Sequence, residues 1–117
     1  MDENTKKIIL RNFWEFYELG NSAFEQKKYN GAVTLYYKAL VELCDFSLIS
    51  KSGQLGVNNS ERFRMLEKFN PELYGIADKL FRFYRDSYNK EISLAIAKVV
   101  KENVERAKNV VISSVKN

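Results

Sequence analysis

No histidine occurs anywhere in the chain, so any chemistry that needs an imidazole, whether general base, nucleophile partner or metal ligand, is closed to it. Cys44 is the only cysteine. It can form no disulfide within the chain and no zinc set with histidines, and its neighbours Leu40, Leu43 and Phe46 mark it as a small buried hydrophobe rather than a reactive thiol. Glu15 and Glu18 stand three apart, a spacing that suits a solvated helix face better than a metal site. Gly53 and Gly56 lack the preceding strand and the lysine of a phosphate-cradling loop. No metal and no cofactor is expected. What remains is the run Phe81-Arg82-Phe83-Tyr84-Arg85-Asp86-Ser87-Tyr88-Asn89. Arg82, Arg85 and Asn89 are spaced by three and four, so a helix carries all three on one face, with Asp86 next to Arg85 and with Tyr84 and Tyr88 flanking. Two guanidinium groups so placed suit phosphate, and the rings suit stacked bases. The plain alternative is a charged face whose aromatics pack inward.

The charge balance permits such a partner without demanding it. Nineteen Lys and Arg stand against fifteen Asp and Glu, a formal +4, and the positive residues are spread from Lys6 to Lys116 rather than gathered in a block. Met1 to Lys7 is polar and charged, unlike a secretory signal, and no apolar run approaches the roughly 18 residues of a membrane span. The expected location is therefore the cytoplasm, away from any membrane. A length of 117 residues suits a single domain, 1–117.

The elements that must position these residues are helical. One proline and five glycines leave few obligatory turns. The first helix is predicted from about Glu3 to Lys27, with Ile9, Phe13, Phe16, Gly20 and Ala23 on one face and Leu10, Trp14 and Tyr17 widening it. A second, from about Asn30 to Ser50, centres on Ala32, Tyr36, Ala39, Leu43 and Phe46, with Val33, Leu40 and Leu48 beside them. The short link between the two makes them antiparallel neighbours. Ser50 to Asn59 is rich in turn formers. Asn58 stands three residues before Glu61, the pattern of a capping box for a short helix over Ser60–Phe69. Asn70-Pro71-Glu72 is a stronger start signal, for a helix from Pro71 to about Tyr88 that buries Leu73, Ile76, Leu80, Phe83 and Tyr84. After a break or kink at Asn89 to Glu91, the stripe Ile92, Ile96, Val100, Val104, Ala107, Val111, Val115 has a helical period despite its β-branched content. The expected fold is all-α, an antiparallel up-and-down bundle of four long helices plus one short helix.

Two resemblances sharpen this reading. The run from Leu19 to Ala32, with Tyr36 and Ala39 following, resembles a single tetratricopeptide repeat, with Gly20, Tyr29, Ala32, Tyr36 and Ala39 on its small and aromatic positions. A lone copy reads as a helical hairpin, because repeat arrays need about three copies to bury a continuous core. Over Ile9 to Val111 the chain also resembles the HEPN superfamily of small helical domains. The resemblance rests on Lys28-Tyr29-Asn30-Gly31-Ala32-Val33 with Leu35-Tyr36-Tyr37-Lys38-Ala39-Leu40, then a loop and short helix, then Arg85-Asp86 near the end of the fourth helix. Ribonucleases of that family carry Arg, a polar residue and then His, usually paired across a dimer cleft. The histidine should fall near Lys90, Glu91 or Ile92, and none of these is one. The resemblance thus implies the scaffold, a homodimer, and binding of RNA or of a nucleotidyltransferase-type protein partner in a toxin–antitoxin-like pair, without cleavage. Arg82, Arg85, Asp86, Tyr88 and Asn89 are the expected binding residues. The rival reading is an adaptor that uses the helix 1–2 hairpin and exposes an apolar patch at Trp14 and Tyr17. A residual ribonuclease built on Arg85, Asp86 and Tyr88 is a third.

Overall fold

The computed structural model describes residues 3–116, with side chains described through Ser113. Five helices follow in order: α1 (Glu3–Glu25), α2 (Tyr29–Ser52), α3 (Asn59–Phe69), α4 (Pro71–Asp86) and α5 (Leu94–Lys116). No strand occurs among the described residues.

The helix α2 explains the architecture. Between Tyr29 and Ile49 its only charged residues are Lys38, Glu42 and Asp45, and a helix apolar almost all round must be enclosed almost all round. Beyond the predicted stripe it buries Tyr37, Cys44, Ser47 and Ile49, and it packs against each of the other four helices. The stripes of α1, α4 and α5 close on it. Ile9, Phe13 and Tyr17 come from α1, Leu73, Ile76, Ala77 and Leu80 from α4, and Ala97, Val100, Val104, Ala107 and Val111 from α5. Ile92 is buried too, but it lies in the connection before α5 rather than in the helix. Phe83, Tyr84 and Ile96, expected in the core, are only half-buried at its edge. The side chain of Val115, the last member of the predicted stripe, lies outside the described residues.

Contacts along the hairpin pair opposite ends of α1 and α2. The Lys6 ammonium sits 5.9 Å from the centre of the Phe46 ring, while Phe24 meets Tyr29 at 5.7 Å beside the connection. Gly20 lets the two backbones approach. A methyl group there would lie 2.9 Å from the Tyr36 ring, which is fully buried and donates its hydroxyl to Asn21 Oδ1 at 2.6 Å. The first helix stops at Glu25, two residues short of prediction. Lys27 takes a left-handed φ of 62°, and the Lys27 and Lys28 amides close on the carbonyls of Phe24 and Ala23.

Side-chain caps set the later boundaries. Asn58 Oδ1 accepts from the Glu61 amide at 2.9 Å, while the Glu61 carboxylate accepts from Val57 rather than from Asn58 itself. Asn70 serves two helices. Its amide bonds Leu66 O at the end of α3, its Oδ1 accepts from Leu73 N at the start of α4, and its Nδ2 donates to Ser47 Oγ on α2. The joint between α3 and α4 is thereby fastened to the central helix.

Candidate functional site

The predicted binding residues occupy the C-terminal end of α4. Arg82 and Arg85 are exposed and three apart on the last two turns, and neither joins an ion pair among the described residues. The Arg82 guanidinium lies 4.8 Å from the Phe83 ring. Tyr88 is 66% exposed and shares a 2.9 Å hydroxyl contact with Tyr84. Asp86 is held by Lys90 at 3.4 Å.

Asn89 lies beyond the end of α4, exposed in the turn that follows it. The last helical residue is Asp86, so the three-and-four spacing that put Asn89 in line with Arg82 and Arg85 no longer applies to it. The reason is local and polar. Ser87 Oγ donates to Tyr84 O at 2.6 Å and meets Thr34 Oγ1 at 2.8 Å. Asn30, at the start of α2, then pins the descending chain: its Nδ2 donates to Ser87 O and Lys90 O, and its Oδ1 accepts from Ile92 N at 3.1 Å. The three positions where the resemblance would place a histidine are therefore fixed in space. Lys90 and Glu91 face solvent, and Ile92 turns into the core.

A second group, which the reading of the sequence did not single out, lines a cavity of about 300 Å³ among α1, α2, α3 and α4. Lys38, Glu42 and Asp45 recur at four and three residues on α2, so the polar residues of an otherwise apolar helix share one stripe. That stripe was the available signal. Asp45 meets Arg62 of α3 through both carboxylate oxygens, Nε to Oδ1 at 2.7 Å and Nη2 to Oδ2 at 3.3 Å, and Nη1 also donates to Asn59. Both side chains are only 15% exposed. Glu42 lines the same cavity. Burial first, and then the charge of Asp45, raise its carboxyl above the usual range, while an Asn12 hydrogen bond and Arg62 pull it back.

Rings complete the walls. Phe16, Tyr37, Phe63, Phe81 and Tyr84 line the cavity. Tyr37 stacks on Tyr84 at 4.6 Å and donates its hydroxyl to Ala77 O at 3.2 Å. The Tyr84 phenol is pushed up to about 12 by its bond to Tyr88 and by burial, and burial drives the Tyr37 phenol up as well. Cys44 also borders the cavity, where burial raises its thiol and holds it neutral, as expected of a small core residue. No group of three or more potential metal ligands exists among the described residues, and no helix there is long and apolar enough to cross a membrane. Near neutral pH the site offers one weakened acid, one tied ion pair, one ammonium and a ring cluster, a set suited to binding.

Comparison of the chain with family models, with curated proteins and with solved structures finds no match.

Proposed function

We propose that this chain is a non-catalytic, HEPN-like binding domain that acts as a cytoplasmic homodimer and engages single-stranded RNA at the end of α4. One observation carries the reading: Arg82 and Arg85 are exposed and, among the described residues, without acidic partners, beside an exposed Tyr88. Neither arginine is paired with a carboxylate among the described residues, and two further cations sit on neighbouring side chains, Lys38 over the Tyr84 ring and Lys90 on Asp86. Backbone phosphates would be held by the guanidinium groups and a base would stack on Tyr88. Asp86 closes α4, and the exposed Asn89 follows in the turn beyond it. An up-and-down course of the helices belongs to the same proposal. It is supported by contacts that pair opposite ends of α1 with α2, and of α2 with α4, where Ser47 meets Asn70 and Thr34 meets Ser87.

Non-catalysis is supported by the surroundings of the third reading's residues. The Asp86 carboxylate faces Lys90, and the Tyr88 hydroxyl is shared with Tyr84. The adaptor reading needs an apolar patch at Trp14 and Tyr17. Trp14 is 39% exposed, but Tyr17 is buried and bonded to Glu105 at 3.0 Å, with Lys108 over both rings.

Fluorescence anisotropy of a labelled single-stranded RNA across a salt series tests the proposal. Binding should weaken steeply with salt, and Arg82→Ala with Arg85→Ala should lower the log–log slope by about 0.7 for each lost phosphate contact. Undetectable binding at low salt, or binding indifferent to salt, overturns it. Light scattering that shows a monomer at micromolar concentration overturns the dimer.

A further inference from the structure

We infer that the cavity among α1, α2, α3 and α4 binds a small organic cation, an alkyl- or arylalkyl-ammonium, with Glu42 as its counter-charge and the rings of Phe16, Phe63, Phe81 and Tyr84 around its apolar body. The cavity adjoins the α4 end through Tyr84, but the inference does not depend on RNA binding.

The argument is one of charge complementarity inside an aromatic enclosure. Three charged side chains line the cavity: Lys38, Glu42 and Arg62. Two of them are engaged. Arg62 is committed to Asp45 and Asn59. Lys38 is exposed, with its ammonium 5.9 Å from the Tyr84 ring centre at the cavity's edge. Glu42 has no cationic partner among the ion pairs of the described residues, although the neutral amide of Asn12 and the charge of Arg62 both favour its ionised form. A carboxylate left in that state at the wall of a cavity is stabilised most by a cation brought from outside.

The walls favour the same chemistry. Ring faces attract ammonium groups, most strongly where water is excluded, and the position of Lys38 over Tyr84 shows this cluster already holding one. The rings are fixed rather than loose. Phe63 and Phe81 meet edge to face at 6.1 Å, and Tyr37 is stacked on Tyr84 with its hydroxyl committed to Ala77 O. A volume of about 300 Å³ is at the small end of ligand pockets and suits a compact ligand, not a peptide. An anion is disfavoured because the one guanidinium lining the cavity, that of Arg62, is already paired with Asp45.

The test is a titration of the full ¹⁵N-labelled chain with 2-phenylethylammonium, and separately with the uncharged 2-phenylethanol, followed by amide shifts. The amine should saturate, with shifts centred on residues 37–45, 59–63 and 77–84, and the alcohol should bind about tenfold more weakly, the value of one hydrogen bond to a charged group. Glu42→Gln should remove that preference and keep the fold, since the amide is isosteric and removes a half-buried charge. Arg85→Ala should leave the titration unchanged. Equal binding of amine and alcohol, an unchanged preference in Glu42→Gln, shifts confined to other surfaces, or no saturable binding by the amine would each overturn the inference.

Discussion

The two ends of the α2–α4 packing use similar residues in opposite surroundings. At the end of α4, Arg82 and Arg85 stand in solvent, and the adjacent Asp86 is paired with Lys90. Beneath α3, Arg62 and Asp45 form a forked pair only 15% exposed, with Glu42 one turn away. Water supports each exposed charge almost as well as a partner would, so those arginines are energetically free for a ligand. The enclosed charges have lost their water and must keep their partners. Guanidinium groups can therefore hold this fold together at one place and serve a visitor at another, and exposure decides which.

The largest effect should come from breaking the enclosed pair. Asp45→Ala leaves the Arg62 guanidinium partnered only by Asn59 and should cost about 2 to 3 kcal/mol, less than for a pair with no solvent access. Arg85→Ala should stay within about 0.5 kcal/mol. The double variant Asp45→Leu with Arg62→Met, which removes both charges together, should recover most of the loss. Urea unfolding of the three proteins checks this. Equal stabilities of Asp45→Ala and Arg85→Ala would erase the contrast between the two regions.

Glycines give a smaller measure of the same difference. Gly56 lies under the start of α3, where an added methyl would fall 2.8 Å from the backbone nitrogen of Arg62. Backbone cannot swing aside as a side chain can, so Gly56→Ala should destabilise by about 1 to 3 kcal/mol. Gly75, exposed on α4, has nothing within 4 Å of such a methyl. There alanine should stabilise by about 0.5 to 1 kcal/mol through helix propensity alone. Thermal denaturation of both variants reads the opposite signs directly, and a loss at Gly75 would show that α4 is more constrained than its exposure indicates.

Local signals disclosed the helices, and tertiary contacts decided what local signals could not. The apolar periods of the five segments and the starts at Asn58 and Asn70-Pro71 were legible because caps and faces are short-range in sequence. The end of α1 was not, because Lys27 adopts a left-handed conformation that its residue type does not advertise. Nor was the end of α4, which Asn30 sets from 57 residues away by capturing Ser87 O. Of the expected binding residues Arg82, Arg85, Tyr88 and Asn89 are exposed, with Tyr88 and Asn89 beyond the last helical residue. The cavity was hidden for a similar reason. Asp45 and Arg62 are joined across the α2–α3 turn, and only the stripe Lys38, Glu42, Asp45 hinted that one side of a buried helix was wet.

The smallest effect concerns Glu42, and it depends on pH. Burial and then Asp45 raise this carboxyl above its unfolded value. Between the ordinary carboxylate range and the raised value, the unfolded chain has released its proton while the folded chain retains it. The unfolded state then binds fewer protons, so stability falls as pH rises through that window. Below it both states are protonated and the penalty vanishes; above it the penalty is complete. Glu42→Gln never ionises. It should match the parent at pH below the ordinary carboxylate range and become the more stable protein as pH rises toward neutrality. Melting temperatures across an acid-to-neutral series measure the difference. A Glu42→Gln curve parallel to the parent's would mean that Glu42 is as well solvated as Arg82 and Arg85, and the contrast would then rest on Asp45 and Arg62 alone.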